Sequence, residues 1–474
     1  MTSSTPPTSE SPARPARRWR RWIVRGVLTL LLAGVVVLVG FGMRLGPMGS
    51  AYQAKVLAGG VFVSGRDADA VLTADLDPDE LSPLLGLCAS ELDPHGARVR
   101  TSFLGIDAAE VCYREGLGTT VVIGELAEVD PPAPVPPPTD PSAPWPEGAA
   151  VDVDLLPEAR ARREALEALL DEAFSEPDPE HPRRTRGLVV VWRGRIVAER
   201  YAPGFDPETP QLGWSMTKTF VAALAGVLVR EGRWSLARGL SVPEWSADDP
   251  RAAITLEQLL HMQSGLEFAE DYSPLTDVTR MLFCERDAGG FAASKPLAHP
   301  PGTAWSYSSG TTNLICRAMR AELGGAYASF PRDALFAPLG MRSAVIELDS
   351  AGHFVGSSFG WATPRDWARF GLLWVQDGVW RGQRILPEGW VDWCREPAEH
   401  SDGRYGGHVW LRLGKRGQVP ELPADTFHAA GHDRQLLTMI PSQQLVVVRL
   451  GLTRNRVSWI QERFVADVLA ALAD

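Results

Sequence analysis

Residues 26–43 read GVLTLLLAGVVVLVGFGM, eighteen positions without a charge. With Ile23 and Val24 the run reaches the ~20 apolar residues that a helix needs to cross the hydrocarbon core of a bilayer. Six arginines lie between Arg14 and Arg25, and few basic residues follow the run closely. That asymmetry predicts a disordered, Arg-rich cytoplasmic segment at 1–22 and a single-pass anchor at 23–43 in the cytoplasmic membrane. The remainder of the chain would then lie on the extracytoplasmic side. The rival is a cleaved signal peptide, for which GSA at 49–51 offers small residues, but the apolar run is long for that role.

Past the run the pattern changes. Residues 44–130 mix short apolar stretches such as GGVFVSG and TTVVIGEL with turn residues, which predicts a small β-rich N-terminal region. Nine of the sixteen residues from 131 to 146 are proline. No packed helix or strand tolerates that density, so 131–147 is expected to be an extended linker or strap. The main domain is expected at 150–474. Its stretch 157–174 puts Leu166, Leu169, Leu170 and Phe174 on one side of a helix. GLVVVWRGRIVAERY at 187–201 reads as two strands joined at Arg193-Gly194, and QLLTMIPSQQLVVVRLG at 435–451 as a second hairpin. Residues 457–473 close the chain with an amphipathic helix. Strands at both ends with helices between them predict an α+β domain with a central antiparallel sheet flanked by helices.

Composition narrows the chemistry. The 474 residues carry a net charge of −11, the opposite of the basic footprint that nucleic-acid binding leaves. There is no Gly-rich phosphate loop, no Cys-x-x-Cys and no His-Glu-x-x-His, so neither a metal nor an organic cofactor is expected. The five cysteines (Cys88, Cys112, Cys284, Cys316, Cys394) fit no disulfide framework. Cys88 and Cys112 are a candidate pair, and buried free thiols account for them equally well.

The candidate chemistry lies in LGWSMTKTF at 212–220. Only four of the 47 lysines and arginines are lysine, and Lys218 follows Ser215 by three positions. Three residues along a helix is one turn on the same face, so the amine can reach the hydroxyl. The apolar run FVAALAGVLV that follows demands a buried helix. Burial disfavours the charged form of lysine, whereas arginine keeps its proton. Lys218 is therefore suited to take the proton of Ser215. A serine at a helix start is also an ordinary cap, yet a chain so biased toward arginine would be expected to use arginine at a merely structural site. The Ser215 backbone N–H would supply half of an oxyanion hole.

Three further stretches follow in order: LEQLLHMQSGLEF at 256–268, HPPGTAWSYSSGTTNLI at 299–315 and AAGHDRQLLTMIPSQQLVVV at 429–448. Together with Ser215-x-x-Lys218 they resemble the serine β-lactamase-related hydrolases. That family includes class C β-lactamases, D-alanyl-D-alanine peptidases, esterases and 6-aminohexanoate-dimer hydrolases. The resemblance covers residues 180–474. It implies a β-lactamase/transpeptidase-like fold and cofactor-free hydrolysis of a small ester, amide or peptide through an acyl-enzyme. By position it makes Ser215 the nucleophile, Lys218 its base and Tyr307 the second-motif tyrosine. Lys218 would lower the Tyr307 phenol and share its proton, so that Tyr307 later protonates the leaving group.

Two motifs depart from the family's pattern. Tyr-x-Asn is here Tyr307-Ser308-Ser309, whose Ser309 still hydrogen-bonds but with a shorter side chain. Lys-Thr-Gly is here His432-Asp433-Arg434. His432 would replace the lysine, and the Gln435 N–H would complete the oxyanion hole. Arg434 stands in the glycine's place, so either the register is off by one or substrate approach differs; with the register as read, Arg434 either holds a substrate carboxylate or turns outward to an acidic side chain such as Asp433 or Asp425. Two rivals stand beside this reading. GSSFG at 356–360 matches the nucleophile-elbow pattern around Ser358, although helical patterning resumes only near Pro364 with Thr363 as cap. The altered motifs also fit a non-enzymatic, membrane-anchored protein that binds a cell-wall peptide or partner, against which stand the retained Ser215, Lys218 and Tyr307.

Overall fold

The computed structural model describes residues 1–3, 18–76, 85–151, 155–415 and 417–473. Its central sheet has five antiparallel strands in the order Phe427–Gly431, Gln435–Ile440, Leu445–Gly451, Thr185–Trp192, Arg195–Tyr201. The two expected hairpins thus meet in the middle, with Leu445 opposite Trp192 and Val448 opposite Val189. The Arg193-Gly194 turn holds both residues at positive φ (50° and 79°), the twist that suits a two-residue hairpin.

Both faces of the sheet are covered, which is why its strands read as unbroken apolar runs. Val189, Val191, Val446 and Val448 face a core that contains Phe220, Trp367 and Phe370. Leu188, Val190, Leu445 and Val447 face the other way, toward Leu166, Leu170, Val465 and Val468 of helices Arg163–Phe174 and Gln461–Leu472. Helix Thr217–Arg230 is buried from Thr217 to Leu228, as a helix apolar on all sides must be. Phe220 stacks on Trp367 with ring centroids 4.3 Å apart, which pins the first turn of that helix to helix Pro364–Val375.

The N-terminal region differs from the β-rich expectation for 44–130. Helix Arg18–Ala58 runs well into it and continues as a π-turn, Gly59–Val63. The sheet is a four-stranded meander of Cys88–Asp93, Arg98–Phe103, Ile106–Arg114 and Gly118–Val121. Buried Leu45, Met48, Ala51, Ala54, Leu57 and Ala58 recur at helical spacing, a stripe that the neighbouring glycines and β-branched residues obscure in the sequence. Lys55 and Glu347 form a buried ion pair at 2.5 Å that ties this helix to the main domain. Among the described residues no helix is long and apolar enough to cross a membrane. The side chains of 31, 33–39, 41 and 43, inside the expected anchor, lie outside the described residues, as do residues 4–17 of the expected cytoplasmic segment.

The Pro-rich stretch lies on the domain as a strap. Val135 and Trp145 are buried, and Arg195 Nη1 donates to the Trp145 carbonyl at 2.7 Å. None of the five cysteines is in a disulfide. Cys88 sits opposite Phe103 and Cys112 opposite Arg98, the two ends of one strand, about 17 Å apart, so the Cys88–Cys112 pair is not formed.

Candidate active site

Ser215 lies in a single 3₁₀ turn, Trp214–Met216, that leads into helix Thr217–Arg230. Thr217 fixes the junction: its hydroxyl donates to the Trp214 carbonyl at 2.6 Å and accepts from the Gly360 N–H at 2.9 Å. Trp214 itself has φ 48°, a conformation that a bulky residue keeps only where its surroundings impose it.

Lys218 is buried, and its amine reaches three oxygens: Ser215 Oγ at 3.0 Å, Ser309 Oγ at 3.1 Å and the Ser357 carbonyl at 2.9 Å. The three contacts match the three donors of an ammonium. Burial nonetheless pulls its pKa down to about 8, against the opposing charge of Glu270. A fraction of the amine is therefore neutral near pH 7. Ser309 opens helix Ser309–Leu323, where Ser308 is the cap. The Glu270 carboxylate sits at this helix start, accepting from the Ser309 N–H at 2.7 Å and from Ser309 Oγ at 2.6 Å. A chain of hydrogen bonds thus runs Glu270–Ser309–Lys218–Ser215.

Two tyrosines close over the serine. The hydroxyls of Tyr307 and Tyr272 both interact with Ser215, and Tyr272 also with Ser309. Lys218 Nζ lies 4.8 Å from the Tyr307 ring centroid. Burial, and next the charge of Glu270, push the Tyr307 phenol well up. The expectation that Lys218 would pull it down is thus corrected: desolvation and a carboxylate dominate, and Tyr307 is a neutral phenol. Tyr405 and Trp410 pack on Tyr307 at 5.6 and 5.3 Å between centroids, so the pocket wall is aromatic.

The third motif falls in a different register from the one expected. Strand Phe427–Gly431 is the sheet edge beside the serine turn, and its last residue makes the close approach. A Cβ on Gly431 would stand 2.1 Å from the Gly213 carbonyl oxygen and 3.2 Å from the Ser215 nitrogen. His432, Asp433 and Arg434 form the tight turn beyond, with Asp433 and Arg434 at φ 56° and 62°. His432 stays at the site, stacked on Tyr272 at 5.2 Å and edge-on to Trp214 at 5.6 Å. Arg434 does not: its guanidinium donates to the Arg456 carbonyl at 2.7 Å. Gln435 does not either, since its N–H donates to the His432 carbonyl and its side chain brackets Gly451. The Gly-x-Ser-x-Gly serine, Ser358, is wholly buried with its Oγ 2.9 Å from Ser357 Oγ. The next helix starts only at Pro364, so the segment forms no elbow and instead presents the Ser357 carbonyl to Lys218.

Glu270 and Tyr272 were not singled out by sequence reasoning. They fall in AEDYSP just past LEQLLHMQSGLEF, and their only signal is that a polar cluster follows a recognisable stretch. Nothing in the spacing says that this loop folds back onto Ser309.

The family model described as Beta-lactamase matches residues 169–473. The 6-aminohexanoate-dimer hydrolase of Paenarthrobacter ureafaciens is 26% identical over 298 residues, 56% of this chain and 72% of that protein. A D-aminopeptidase of Cereibacter sphaeroides is 31% identical over 226 residues, which span 44% of this chain and 43% of the relative. Among solved structures, the penicillin-binding protein homolog of Caulobacter crescentus superposes with a TM-score of 0.52 at 18% identity, covering 68% of this chain and 99% of that one. EstCE1, a hydrolase with promiscuous acyltransferase activity, gives 0.53 at 13% identity, covering 66% and 99%. With its antiparallel sheet and a serine and lysine one helical turn apart at the sheet edge, the chain belongs to the beta-lactamase family of serine hydrolases.

Proposed function

We propose that the protein hydrolyses a small ester or amide through an acyl-enzyme on Ser215. The observation that carries this reading is the buried Lys218 amine, 3.0 Å from Ser215 Oγ and brought down to about pKa 8. The neutral amine takes the Ser215 proton as Oγ attacks the carbonyl carbon. The oxyanion is held by the Ser215 N–H and by the His432 N–H, which comes next along the strand edge past Gly431. Tyr307, neutral and in contact with Ser215, hands a proton to the leaving group and recovers one from Lys218. Water then attacks the acyl carbonyl with Lys218 again as base, and Lys218 passes that proton to Ser215 Oγ as the acid departs, which restores both groups. The names of the two curated relatives, a 6-aminohexanoate-dimer hydrolase and a D-aminopeptidase, favour an amide substrate.

We further propose that helix Arg18–Ala58 carries the membrane anchor, with the catalytic domain outside the cytoplasm. The charge-free run 26–43 and the arginines before it support this, as does the exposure of Trp22, Ile23, Val24, Val27, Leu28, Leu30 and Leu32. The chemistry is tested by a serine-reactive phosphonate together with a panel of short-chain esters, D-amino-acid peptides, amino-acid oligomers and nitrocefin. Ser215→Ala is expected to lose both label and turnover, and Ser358→Ala to keep both. Labelling that survives in Ser215→Ala refutes the assignment, and tight binding of a peptide without labelling would favour a binding protein.

A further inference from the structure

Among the described residues, and apart from Met1 and Val457, the large apolar side chains left exposed fall in two places. One is the helix from Trp19 to Leu32. The other is a trio, Leu87, Leu104 and Ile106, at 46%, 65% and 66% exposure. The trio forms one patch. Leu104 and Ile106 flank Gly105 at the tip of the hairpin that joins Arg98–Phe103 to Ile106–Arg114, and the Leu104 N–H donates to the Leu87 carbonyl at 3.0 Å. Leu104 holds φ 53° there, a turn position that Asn, Asp or Gly ordinarily fills. The chain places a leucine at this tip despite its poor turn chemistry.

The register of the meander on helix Arg18–Ala58 says where the tip lies. Gln53 Nε2 donates to Ser90 Oγ at 3.0 Å, and Ser50 Oγ is 3.7 Å from Cys88 Sγ. Going back along the first strand toward Leu87 therefore means going back along the helix toward its N-terminus. The second strand continues the trend. The Phe103 ring packs on Gly46 and Gly42, and a Cβ on Gly46 would stand 2.6 Å from it, so a glycine is needed for that approach. Leu104 follows Phe103 and Ile106 lies directly opposite it in the ladder, so both stand at the stretch from Gly46 back to Gly42, where the charge-free run 26–43 ends.

We propose that the Leu87, Leu104 and Ile106 tip inserts into the lipid interface beside the N-terminal helix, as a second membrane contact that fixes the height and tilt of the catalytic domain. The proposal rests on the anchor reading above. A span that ends at Met43 puts the tip at the depth where apolar side chains enter the headgroup–acyl boundary. The same geometry governs the catalytic site. The Leu275 N–H lies 3.5 Å from Met48 Sδ, about 8 Å of helix beyond Met43. The loop that carries Glu270 and Tyr272 is thereby held close to the lipid surface.

Spin-label depth measurements on the full chain in phosphatidylcholine–phosphatidylglycerol nanodiscs test this. The half-buried thiols Cys88 and Cys284 are first replaced by serine, and nitroxides are then placed singly at Ile106→Cys, Leu104→Cys, Leu30→Cys and, as an exposed aqueous reference, Glu421→Cys. The proposal expects the oxygen-to-nickel-chelate accessibility ratio at 104 and 106 to be several-fold above that at 421, and that at 30 to be higher still. A hydrocarbon reading at 30 with aqueous readings at 104 and 106 overturns the tip contact and leaves the anchor standing. An aqueous reading at 30 overturns the anchor and the tip contact with it. Labels at 104 and 106 shielded from both relaxants mean that a protein, a second copy or a partner, covers the tip, which also overturns the proposal.

Discussion

Replacing Glu270 by glutamine removes one charge from the surroundings of Lys218 and leaves the side chain's shape unchanged. Lys218 Nζ and Glu270 Oε1 both bond to Ser309 Oγ, at 3.1 and 2.6 Å, so they lie no more than 5.7 Å apart. Unit charges at that separation interact by about 3 kcal/mol at an effective dielectric of ~20, equivalent to ~2 pK units. Glu270 is half-exposed, and solvent screening reduces the expected effect to about one unit. The sign follows from the cause: Glu270 raises the Lys218 pKa, so its removal lowers it below about 8. The reactive form is the neutral amine, so acylation climbs as pH rises and levels off above the pKa. In Glu270→Gln the climb should come about one pH unit earlier, and the rate near pH 6.5, relative to the variant's own plateau, should rise by roughly tenfold at most. The assay is the second-order rate of phosphonate labelling across the pH range, with the fold followed by circular dichroism. A midpoint that stays in place or moves up would mean that Lys218 is not the titrating base, or that Glu270 does not act on it.

Lys218→Arg is expected to abolish labelling with the fold intact, because guanidinium keeps both charge and proton; near-parental labelling would sink the mechanism. Arg434→Ala should change kcat/KM for a carboxylate substrate and for its methyl ester by less than about twofold, since the guanidinium serves the Arg456 carbonyl and a partly exposed contact of this kind contributes little. A selective loss on the carboxylate substrate would show that Arg434 reaches the pocket in solution. Lys55→Ala strands the buried Glu347 carboxylate and should cost about 3–5 kcal/mol, read as a lower midpoint in urea. An unchanged midpoint would mean that the pair adds nothing to the docking of the N-terminal helix.

The sequence by itself determined the pairing of Ser215 with Lys218 and the two hairpins of the central sheet. Ser215 and Lys218 are one helical turn apart whatever the tertiary structure does, and the apolar run after them can only be a buried helix. The two hairpins were legible for a similar reason, because a short turn between apolar strands encodes its own pairing locally: two residues after Trp192 and four after Ile440. Scarcity of lysine proved a weaker guide. Lys55 is also buried and its pKa also lowered by desolvation, yet it serves an ion pair. What separates the two is the partner, a carboxylate for Lys55 and hydroxyls for Lys218, and partners 292 residues away in the case of Glu347 leave no trace in local spacing. The same limit hid Glu270 and Tyr272, whose loop reaches Ser309 only through chain packing. It also shifted the third motif, since the residue that needs to be glycine is identified by its approach to the Gly213 carbonyl and not by its neighbours in sequence. Local periodicity and covalent spacing are properties of a segment. Desolvation, charge pairing and close backbone approach are properties of what surrounds it, and only the tertiary structure supplies the surroundings.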